Sequence, residues 1–270
     1  SIAAAARRQG LTPAAVGQRV KALEDLLGVE LLQRSGHRAH PTEATLNLLP
    51  RARRLLQEAR ALKSDVQPTG PAGLLRLGAI STILTDAVPD LLGALAARAP
   101  ALRLEVHPGT SAELYERMLS RDLDAVVSVR PPFEPPKNVQ MIPLEQQPMV
   151  LVSREAEPVD APALVASRPV VLYDRDAWGG REAWGWLTAG GRQPDIFCEM
   201  DSPEAIALLV EQGLGVALLP GWRGLRSRHP SLTLSPVADL APRQIVLMSL
   251  CPGPHQALVR LLSELLPRSG

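Results

Sequence analysis

Side chains able to recognise nucleic acid are concentrated near the start of the chain. Residues 1–63 hold 11 lysines and arginines against 5 acidic residues, a net charge of +6, whereas residues 64–270 hold 18 against 23, a net charge of −5. Cationic side chains neutralise DNA phosphates, and an amide such as that of Gln18 can bond to base edges in the major groove. The charge division predicts a DNA-binding head on an acidic body; the alternative is a basic face that is only solvated.

Gln18 lies on a helix whose ends are marked in the sequence, from Thr12 to Gly28. The Thr12 hydroxyl can cap the first amides, Pro13 suits the first helical position, and Gly28 can adopt the left-handed conformation that ends a helix. Apolar side chains at helical spacing predict one buried stripe, formed by Val16, Val20, Leu23 and Leu27. The opposite face carries Ala14, Gln18, Lys21 and Asp25.

The segments on either side complete a small DNA-binding module. SIAAAARRQG predicts a preceding helix that Ser1 caps and Gly10 ends, so the two helices form a helix-turn-helix pattern. VELLQRSGHRAHPT predicts a basic hairpin, or wing, with a turn at residues 35–36. The candidate DNA-contacting residues are Ser1, Thr12, Pro13, Ala14, Gly17, Gln18, Arg19, Lys21, Arg34, His37 and Arg38.

A long helix is predicted over residues 42–66, with Thr42 as its N-cap. Its leucines form a broad apolar stripe that a lone helix cannot bury, so the helix must pack on its own chain or on a second copy. A homodimer is favoured because DNA readers often use two half-sites. Pro50 removes one hydrogen bond from inside this helix, and QPTGPAG at residues 67–73 predicts a linker.

Residues 74–270 alternate strand-like and helical segments, which is typical of an α/β fold with parallel sheets covered by helices. Proline-rich breaks near residues 154–169 indicate two lobes, with lobe I over about 74–153 and 240–270 and lobe II over about 162–239. Ligands of such folds bind beyond the carboxyl ends of strands. The loops at those ends supply the candidate ligand-binding residues, which are Ser81, Thr82, Thr110, Ser128, Arg130, Trp178 and Ser202.

The plainer interpretation of these loop residues is structural. Each serine or threonine can simply cap the helix that follows it, and the tryptophans Trp178, Trp184 and Trp186 can pack helix against sheet. Arg130 can pair an anionic ligand through two hydrogen bonds, or it can lie on the surface. An anionic small molecule is therefore one alternative for the ligand.

Several classes of function lack their motifs in this sequence. Cys198 and Cys251 are its only cysteines, which leaves no disulfide framework or zinc-finger spacing and predicts two buried, inert thiols. No G-x-S-x-G, Walker or H-E-x-x-H motif occurs, so we expect neither an enzyme, nor a metal site, nor a cofactor. No signal peptide and no apolar run long enough to span a membrane is present, which predicts a cytoplasmic protein.

The head segment resembles the DNA-binding domain of the LysR-type transcriptional regulators. The residues that match in order are the AAA run, Ala15–Val16, Lys21, Leu23–Glu24, Leu27–Gly28–Val29, Leu32, Arg34 and Pro41–Thr42–Glu43–Ala44. SPEAIALLVEQGLGVALLP is similar to a motif of that family's effector domain. The sequence departs from the family pattern at Pro13, where glutamine is common, and at Gly17, where serine is usual.

The resemblance implies a winged helix-turn-helix over residues 1–45, a linker and dimerisation helix over 46–73, and a two-lobed effector domain, similar to periplasmic binding proteins, over 74–270. It also implies a tetramer, double-stranded operator DNA as partner, a small-molecule inducer between the lobes, and RNA polymerase as a partner if the protein activates transcription. The family's first helix has no counterpart here, so we expect an incomplete head. The alternative function is a solute-binding or enzymatic α/β domain with a non-specific basic appendage.

Overall fold

A computed structural model of the chain describes residues 1–35, 38–65, 73–154, 160–237, 240–253 and 255–267. The chain divides into two compact units, Ser1–Arg60 and Ala61–Gly270. Most of the predicted linker at residues 67–73 lies outside the described residues, as does His37. The mixed α/β architecture confirms the fold class predicted from the sequence.

The first unit contains two short helices, a hairpin and the start of a long helix. Their bounds are α1 Ile2–Gln9, α2 Pro13–Leu27, β1 Leu32–Ser35, β2 Arg38–Pro41 and α3 Glu43–Asp65. The predicted caps are present: the Ser1 hydroxyl accepts the Ala4 N–H at 3.3 Å and the Thr12 hydroxyl accepts the Ala15 N–H at 3.2 Å. Gly28 adopts a φ of 68° and ends α2. The sequence signals therefore place these helices correctly.

The predicted apolar stripe on α2 is only partly buried. Val16 and Val20 are half-buried, but Leu23 is 41% exposed and Leu27 is 43% exposed. Helix α1 packs against α2 and buries Ala6, but it is too short to cover the whole stripe. The expectation of a fully buried stripe is wrong because no described element of this unit covers the C-terminal half of α2.

Lobe I of the second unit is a five-stranded sheet in the order β4-β3-β5-β12-β6. The strands are β3 Gly73–Ala79, β4 Leu102–Pro108, β5 Ala125–Val129, β6 Val139–Gln147 and β12 Arg243–Leu250, and the helices are α4 Ser81–Arg98, α5 Ser111–Leu119 and α10 Gln256–Leu265. Strands β3, β4 and β5 are parallel, whereas β12 runs antiparallel to both neighbours. Fully buried leucines on the sheet and its helices form the core of this lobe.

Lobe II has the same strand plan on a smaller scale. Its strands are β7 Met149–Ser153, β8 Val170–Tyr173, β9 Ile196–Met200, β10 Ala217–Pro220 and β11 Thr233–Pro236, and its helices are α6 Ala161–Ser167, α7 Gly180–Thr188, α8 Pro203–Glu211 and α9 Arg223–Arg228. Strands β8 and β9 are parallel, β7 lies between β10 and β11 and is antiparallel to both, and a single bridge from Val170 to Val216 joins the two sets.

The chain crosses between the lobes twice, after β6 and before β12. Strand β7 therefore belongs to the sheet of lobe II, and β12 belongs to the sheet of lobe I. This corrects two sequence expectations: Met149–Ser153 lies in lobe II rather than lobe I, and both sheets are mixed rather than wholly parallel. Each lobe takes its antiparallel strand from a crossing segment, and sequence periodicity does not show which sheet such a strand joins.

Candidate functional site

A cavity of about 280 Å³ lies between the two lobes of the second unit. Lobe I contributes the N-termini of α4 and α5, and lobe II contributes the segments that follow β8 and β9. The polar and small residues at its wall include Ser81, Gly109, Thr110, Ser111, Glu113, Tyr173, Ala177, Asp201 and Arg243. All but Arg243 come from strand ends or from the loops and helix starts that follow, as expected for an α/β fold.

The N-terminus of α4 presents free amides to this cavity. The N-cap residue, Ile80, has no side chain that can accept a hydrogen bond, and its carbonyl already receives the N–H groups of Ile83 and Leu84. Within the described residues, no acceptor is found for the N–H groups of Ser81 and Thr82. Unpaired amides at the positive end of a helix dipole favour an anion.

Arg243, at the start of β12, is the buried cation of the cavity. Its side chain is held by three neutral acceptors: Nε–H donates to Gln147 Oε1 at 2.9 Å, Nη2–H to Thr82 Oγ1 at 3.0 Å, and Nη1–H to the Tyr173 hydroxyl at 3.3 Å. Nη2 also donates to Gln147. Arg243 is only 5% exposed, and among the described residues no carboxylate forms an ion pair with it.

The hydrogen-bond inventory of Arg243 leaves a donor unused. A guanidinium has five N–H groups, and the contacts above account for four of them. The Tyr173 hydroxyl accepts from Arg243, so its own hydrogen remains available to a ligand. Burial raises the pKa of Tyr173 above its ordinary value of 10.0, so this hydroxyl stays protonated. Arg243 and Tyr173, which both line the cavity, therefore offer a positive charge, a guanidinium N–H and a phenol O–H.

Two carboxylates line other parts of the wall. Asp201 follows β9, is half-buried, and makes no side-chain hydrogen bond to the described residues; burial, and secondarily repulsion from Asp174, raise its pKa above 3.8. Glu113, on α5, receives the Thr110 N–H at 3.1 Å as part of a capping box. The site thus holds carboxylates as well as the positively charged guanidinium of Arg243.

The structure distributes the sequence-predicted ligand residues over several locations. Ser81 and Thr110 line the cavity, Thr82 bonds to Arg243, and Ser202 caps α8 beside Asp201 by accepting the Ala205 N–H at 3.3 Å. Ser128 is fully buried and donates to the Val129 carbonyl at 3.1 Å, so it does not line this cavity.

Arg130 and Trp178 line a different cavity, of about 300 Å³. Arg130 is exposed, and its Nη1–H donates to Gln244 Oε1 at 3.3 Å. Trp178 packs edge-to-face with Tyr115 at 5.7 Å and with Phe133 at 5.6 Å between ring centroids. Its place in an aromatic cluster matches the packing interpretation considered for the tryptophans. Two tryptophans of α7 lie under arginines, Trp184 under Arg175 and Trp186 under Arg192.

From the loop at residues 201–203, the sequence prediction chose Ser202 rather than Asp201. It missed Glu113, Tyr173 and Arg243 of the cavity between the lobes, and Gln147 behind Arg243. The rule that ligands bind beyond the carboxyl ends of parallel strands could have identified Tyr173 and Asp201, because each ends or directly follows such a strand. The same rule could not have identified Arg243 and Gln147, because they lie on strands next to the crossings between the lobes. The thiols also differ from expectation, since Cys198 is half-buried and Cys251 is exposed.

The candidate DNA-binding face of the first unit is open. Ala14, Gln18 and Arg19 are exposed, and the exposed Lys21 pairs with Asp25 at 3.3 Å. Ser1, Thr12 and Pro13 are exposed as well, and a Cβ at Gly17 would meet no atom within 4 Å. The side chains of Arg34 and Arg38 lie outside the part of the chain that the structure describes.

Glu24 fixes the hairpin to α2. Its Oε1 accepts the N–H groups of Leu31 at 2.8 Å and Leu32 at 3.1 Å. The register of the hairpin pairs Leu32 with Pro41 and Ser35 with Arg38. This contact holds the wing beside the helix whose outer face carries Gln18.

Membrane-spanning helices and metal clusters are absent from the described residues. These residues contain no helix that is both long and apolar enough to cross a bilayer. They also contain no cluster of three histidine, cysteine or acidic side chains arranged to hold a metal ion.

Comparison with known proteins matches both parts of the chain. The family model for the bacterial regulatory helix-turn-helix protein, lysR family, matches residues 1–45, and that for the LysR substrate binding domain matches residues 68–269. The HTH-type transcriptional regulator CbbR of Xanthobacter flavus is 31% identical over 234 residues, covering 81% of this chain and 68% of that protein. The DNA-binding transcriptional dual regulator OxyR of Escherichia coli K12 is 28% identical over 216 residues, covering 77% and 70%.

Solved structures share the fold over nearly the whole chain. A variant of full-length OxyR from Pseudomonas aeruginosa superposes with a TM-score of 0.72 at 23% identity, covering 98% of this chain and 89% of that one. Full-length CbnR complexed with its target DNA gives a TM-score of 0.69 at 21% identity, covering 98% and 93%.

Proposed function

The chain belongs to the LysR family of bacterial transcriptional regulators, and we propose that a small carboxylate-bearing metabolite, bound between its lobes, controls its binding to operator DNA. The observation that carries this proposal is the environment of Arg243. This guanidinium is buried at the cavity wall, and its hydrogen bonds to the described residues all go to neutral oxygens. A buried charge without a counter-charge is unfavourable, and a ligand carboxylate would supply that counter-charge.

Three kinds of donor support a carboxylate in this position. They are the unused Nη1–H of Arg243, the free hydrogen of the Tyr173 hydroxyl, and the unpaired amides of Ser81 and Thr82 at the start of α4. Charge-assisted hydrogen bonds of this type are about twice as strong as neutral ones. The cavity volume of about 280 Å³ lies at the small end of ligand pockets, which favours a metabolite of a few heavy atoms.

The head is proposed to read double-stranded DNA through the outer face of α2. Gln18 has the chemistry to bond to base edges, and Arg19, Lys21 and the basic hairpin have the charge to contact phosphates. Full-length CbnR has been solved in complex with its target DNA, and a similar use of this head is part of the proposal. A homodimer would place two heads on two half-sites.

The remaining parts of the proposal follow the family resemblance. They are assembly into a tetramer, contact with RNA polymerase if the protein activates transcription, and action in the cytoplasm. The ligand would act by binding one arrangement of the heads more tightly than another, since a ligand shifts such an equilibrium only by its difference in affinity. We also propose that the ligand is released chemically unchanged.

The ligand proposal is tested by calorimetric titration of the full chain with small carboxylates, amino acids among them, and with inorganic sulfate and phosphate. We expect a carboxylate to bind, and Arg243→Lys to weaken it at least tenfold, because lysine keeps the charge but loses the planar set of donors. The matched control is Arg226→Lys, an exposed arginine of α9. Carboxylate binding that is equal in both variants, or binding of sulfate or phosphate alone, would contradict the proposal.

The DNA proposal is tested by selecting bound sequences from random duplexes. We expect enrichment of an interrupted inverted repeat. Gln18→Ala should alter the base preference, whereas Arg38→Ala should weaken all sequences alike and flatten the salt dependence. Salt-sensitive binding with no enriched sequence would mean that the head is a non-specific anchor.

A further inference from the structure

We infer that the metabolite bound between the lobes is a small amino acid, whose ammonium group is held by Asp201 and Glu113 while its carboxylate is held by Arg243. This inference rests on the proposed function and specifies the chemical class of the ligand. It is carried by the charges that the described residues place on the cavity wall, one guanidinium and two carboxylates.

The charge balance disfavours a plain carboxylate. A ligand with a single negative charge would neutralise Arg243 but would bring further negative charge into a cavity that already contains Asp201 and Glu113. As the ligand displaces water, the repulsion between these carboxylates and the ligand would increase, because charges interact more strongly where the dielectric constant is low. A ligand that carries an ammonium group removes this repulsion and leaves the occupied cavity nearer to neutrality.

Asp201 is the better of the two acids for this role. Glu113 already receives a backbone N–H within its capping box, and the amides at the start of α8 are served by Ser202. The Asp201 carboxylate, by contrast, has no hydrogen-bond partner among the described residues although it is half-buried at the cavity wall. An ammonium group has three N–H donors and would satisfy such a carboxylate by direct hydrogen bonds.

Asp201 and Arg243 line the same cavity, so one ligand can contact both of them. Arg243 lowers the pKa of Asp201 through space, against the larger effect of burial, so the two charges interact. They nevertheless form no ion pair within 4.0 Å. A molecule with opposite charges can bind both groups at once, whereas a direct Arg243–Asp201 pair would leave no charge for a ligand to meet.

The test compares matched ligands on the full chain by calorimetry. The first probes are the twenty standard L-amino acids, β-alanine and γ-aminobutyrate. For each probe that binds, two truncated compounds are then tested, the acid that lacks the amino group and the amine that lacks the carboxylate. We expect both truncated compounds to bind at least tenfold more weakly than the intact amino acid. In Asp201→Asn, the affinity for the acid without the amino group should increase or change less than threefold. The affinity for the intact amino acid should fall at least tenfold.

Matched controls separate the site from general charge effects. Asp195→Asn removes an exposed acid of the same lobe, and Glu116→Gln removes an exposed acid one helical turn from Glu113. Neither should change amino-acid binding, whereas Glu113→Gln, which keeps an acceptor for the capping box, should weaken it severalfold. Asparagine at position 201 keeps one acceptor oxygen but loses the negative charge, so retained binding in Asp201→Asn would show that this charge does not hold an ammonium group.

The possible failures are distinguishable. If acids without an amino group bind as tightly as amino acids, or if Asp201→Asn leaves amino-acid binding intact, the ammonium inference is wrong while the carboxylate proposal stands. If no carboxylate of either kind binds in a manner that depends on Arg243, both are wrong.

Discussion

Asp86 connects the lobes through one of the least exposed ion pairs of the described residues, and its replacement by asparagine tests how much that connection contributes to stability. Asp86 lies on α4 of lobe I, and its partners lie at α9 of lobe II. Oδ2 accepts the Gly224 N–H at 2.7 Å and Oδ1 accepts from Arg228 Nη1 at 2.6 Å. The carboxyl group is only 8% exposed, whereas Arg228 is 44% exposed.

The expected loss is about 2 kcal/mol of the free energy of unfolding. Asparagine keeps one acceptor oxygen, so it can satisfy either Gly224 or Arg228 but turns an N–H toward the other donor. One charge-assisted hydrogen bond is thereby lost, worth about 1.5–3 kcal/mol. The upper part of that range does not apply, because the freed Arg228 guanidinium can return to water. In a unit of this size, about 2 kcal/mol lowers Tm by roughly 4–8 °C.

Asp90 provides the matched control on the same helix. It pairs with Arg223, also of α9, at 2.9 Å, but the two side chains are 74% and 57% exposed. An exposed pair of this kind contributes at most about 0.5–1 kcal/mol, so Asp90→Asn should change stability little. The two variants remove the same charge from the same helix and differ mainly in burial.

Tryptophan fluorescence during urea unfolding is the appropriate assay. All four tryptophans lie in the second unit, and Trp222, which is 3% exposed, immediately precedes α9. The signal therefore reports on the unit that contains the contact. If Asp86→Asn and Asp90→Asn differ by less than about 0.5 kcal/mol, burial does not govern the strength of this contact and the reasoning fails.

Three further predictions concern helix glycines, pH and the cavity between the lobes. Gly93→Ala should stabilise the protein by about 1 kcal/mol in the urea assay, because alanine favours the helix more than glycine does and the added Cβ would meet no atom within 4 Å. Gly180→Ala should destabilise it by about 2 kcal/mol, because the added Cβ would lie 1.9 Å from a backbone carbonyl oxygen. Equal effects of the two substitutions would contradict the packing described here. Hydrogen bonds from Arg175 lower the pKa of Glu199 below its ordinary value of 4.5. Glu199→Gln should therefore lose roughly 0.5 kcal/mol of stability at neutral pH, and this loss should vanish as the pH falls through the lowered pKa. A loss of stability that grows in acid would refute the assignment. Gln147→Glu should supply the buried guanidinium with an internal counter-charge and weaken carboxylate binding at least tenfold by calorimetry; unchanged affinity would show that the guanidinium does not bind the ligand.

The sequence predicted local structure more successfully than the assignment of strands to sheets. Cap residues and apolar runs located most helices and strands to within a few residues, because these signals act over one or two turns. Strand β6 was missed since Pro143 interrupts its pattern. That proline is tolerated because β6 is an edge strand with an irregular register opposite Ile245 and Val246. Which lobe a strand joins depends on partners far away in sequence, and periodicity carries no information about them.

The candidate site shows the same division between local and distant information. Ser81, Thr110 and the neighbouring loops were predicted because the carboxyl ends of parallel strands converge on a ligand. Arg130 satisfied that rule equally well, yet its guanidinium bonds to Gln244 beside a different cavity. Arg243 was missed because it begins an antiparallel strand, where the rule does not apply. Its importance depends on burial and on the absence of a carboxylate partner within the described part of the chain, and neither can be read from neighbouring residues.

The location of Arg243 also explains how one ligand could affect both lobes. Gln147 is the last residue of β6 before the first crossing, Arg243 is the first residue of β12 after the second, and the two are paired in the sheet of lobe I. The same guanidinium bonds to Thr82 of lobe I and to Tyr173 of lobe II. A carboxylate added to this group would therefore act where the end of β6 and the start of β12 lie side by side. Under the function proposed above, the ligand would contact the strand ends next to which the chain passes from one lobe to the other.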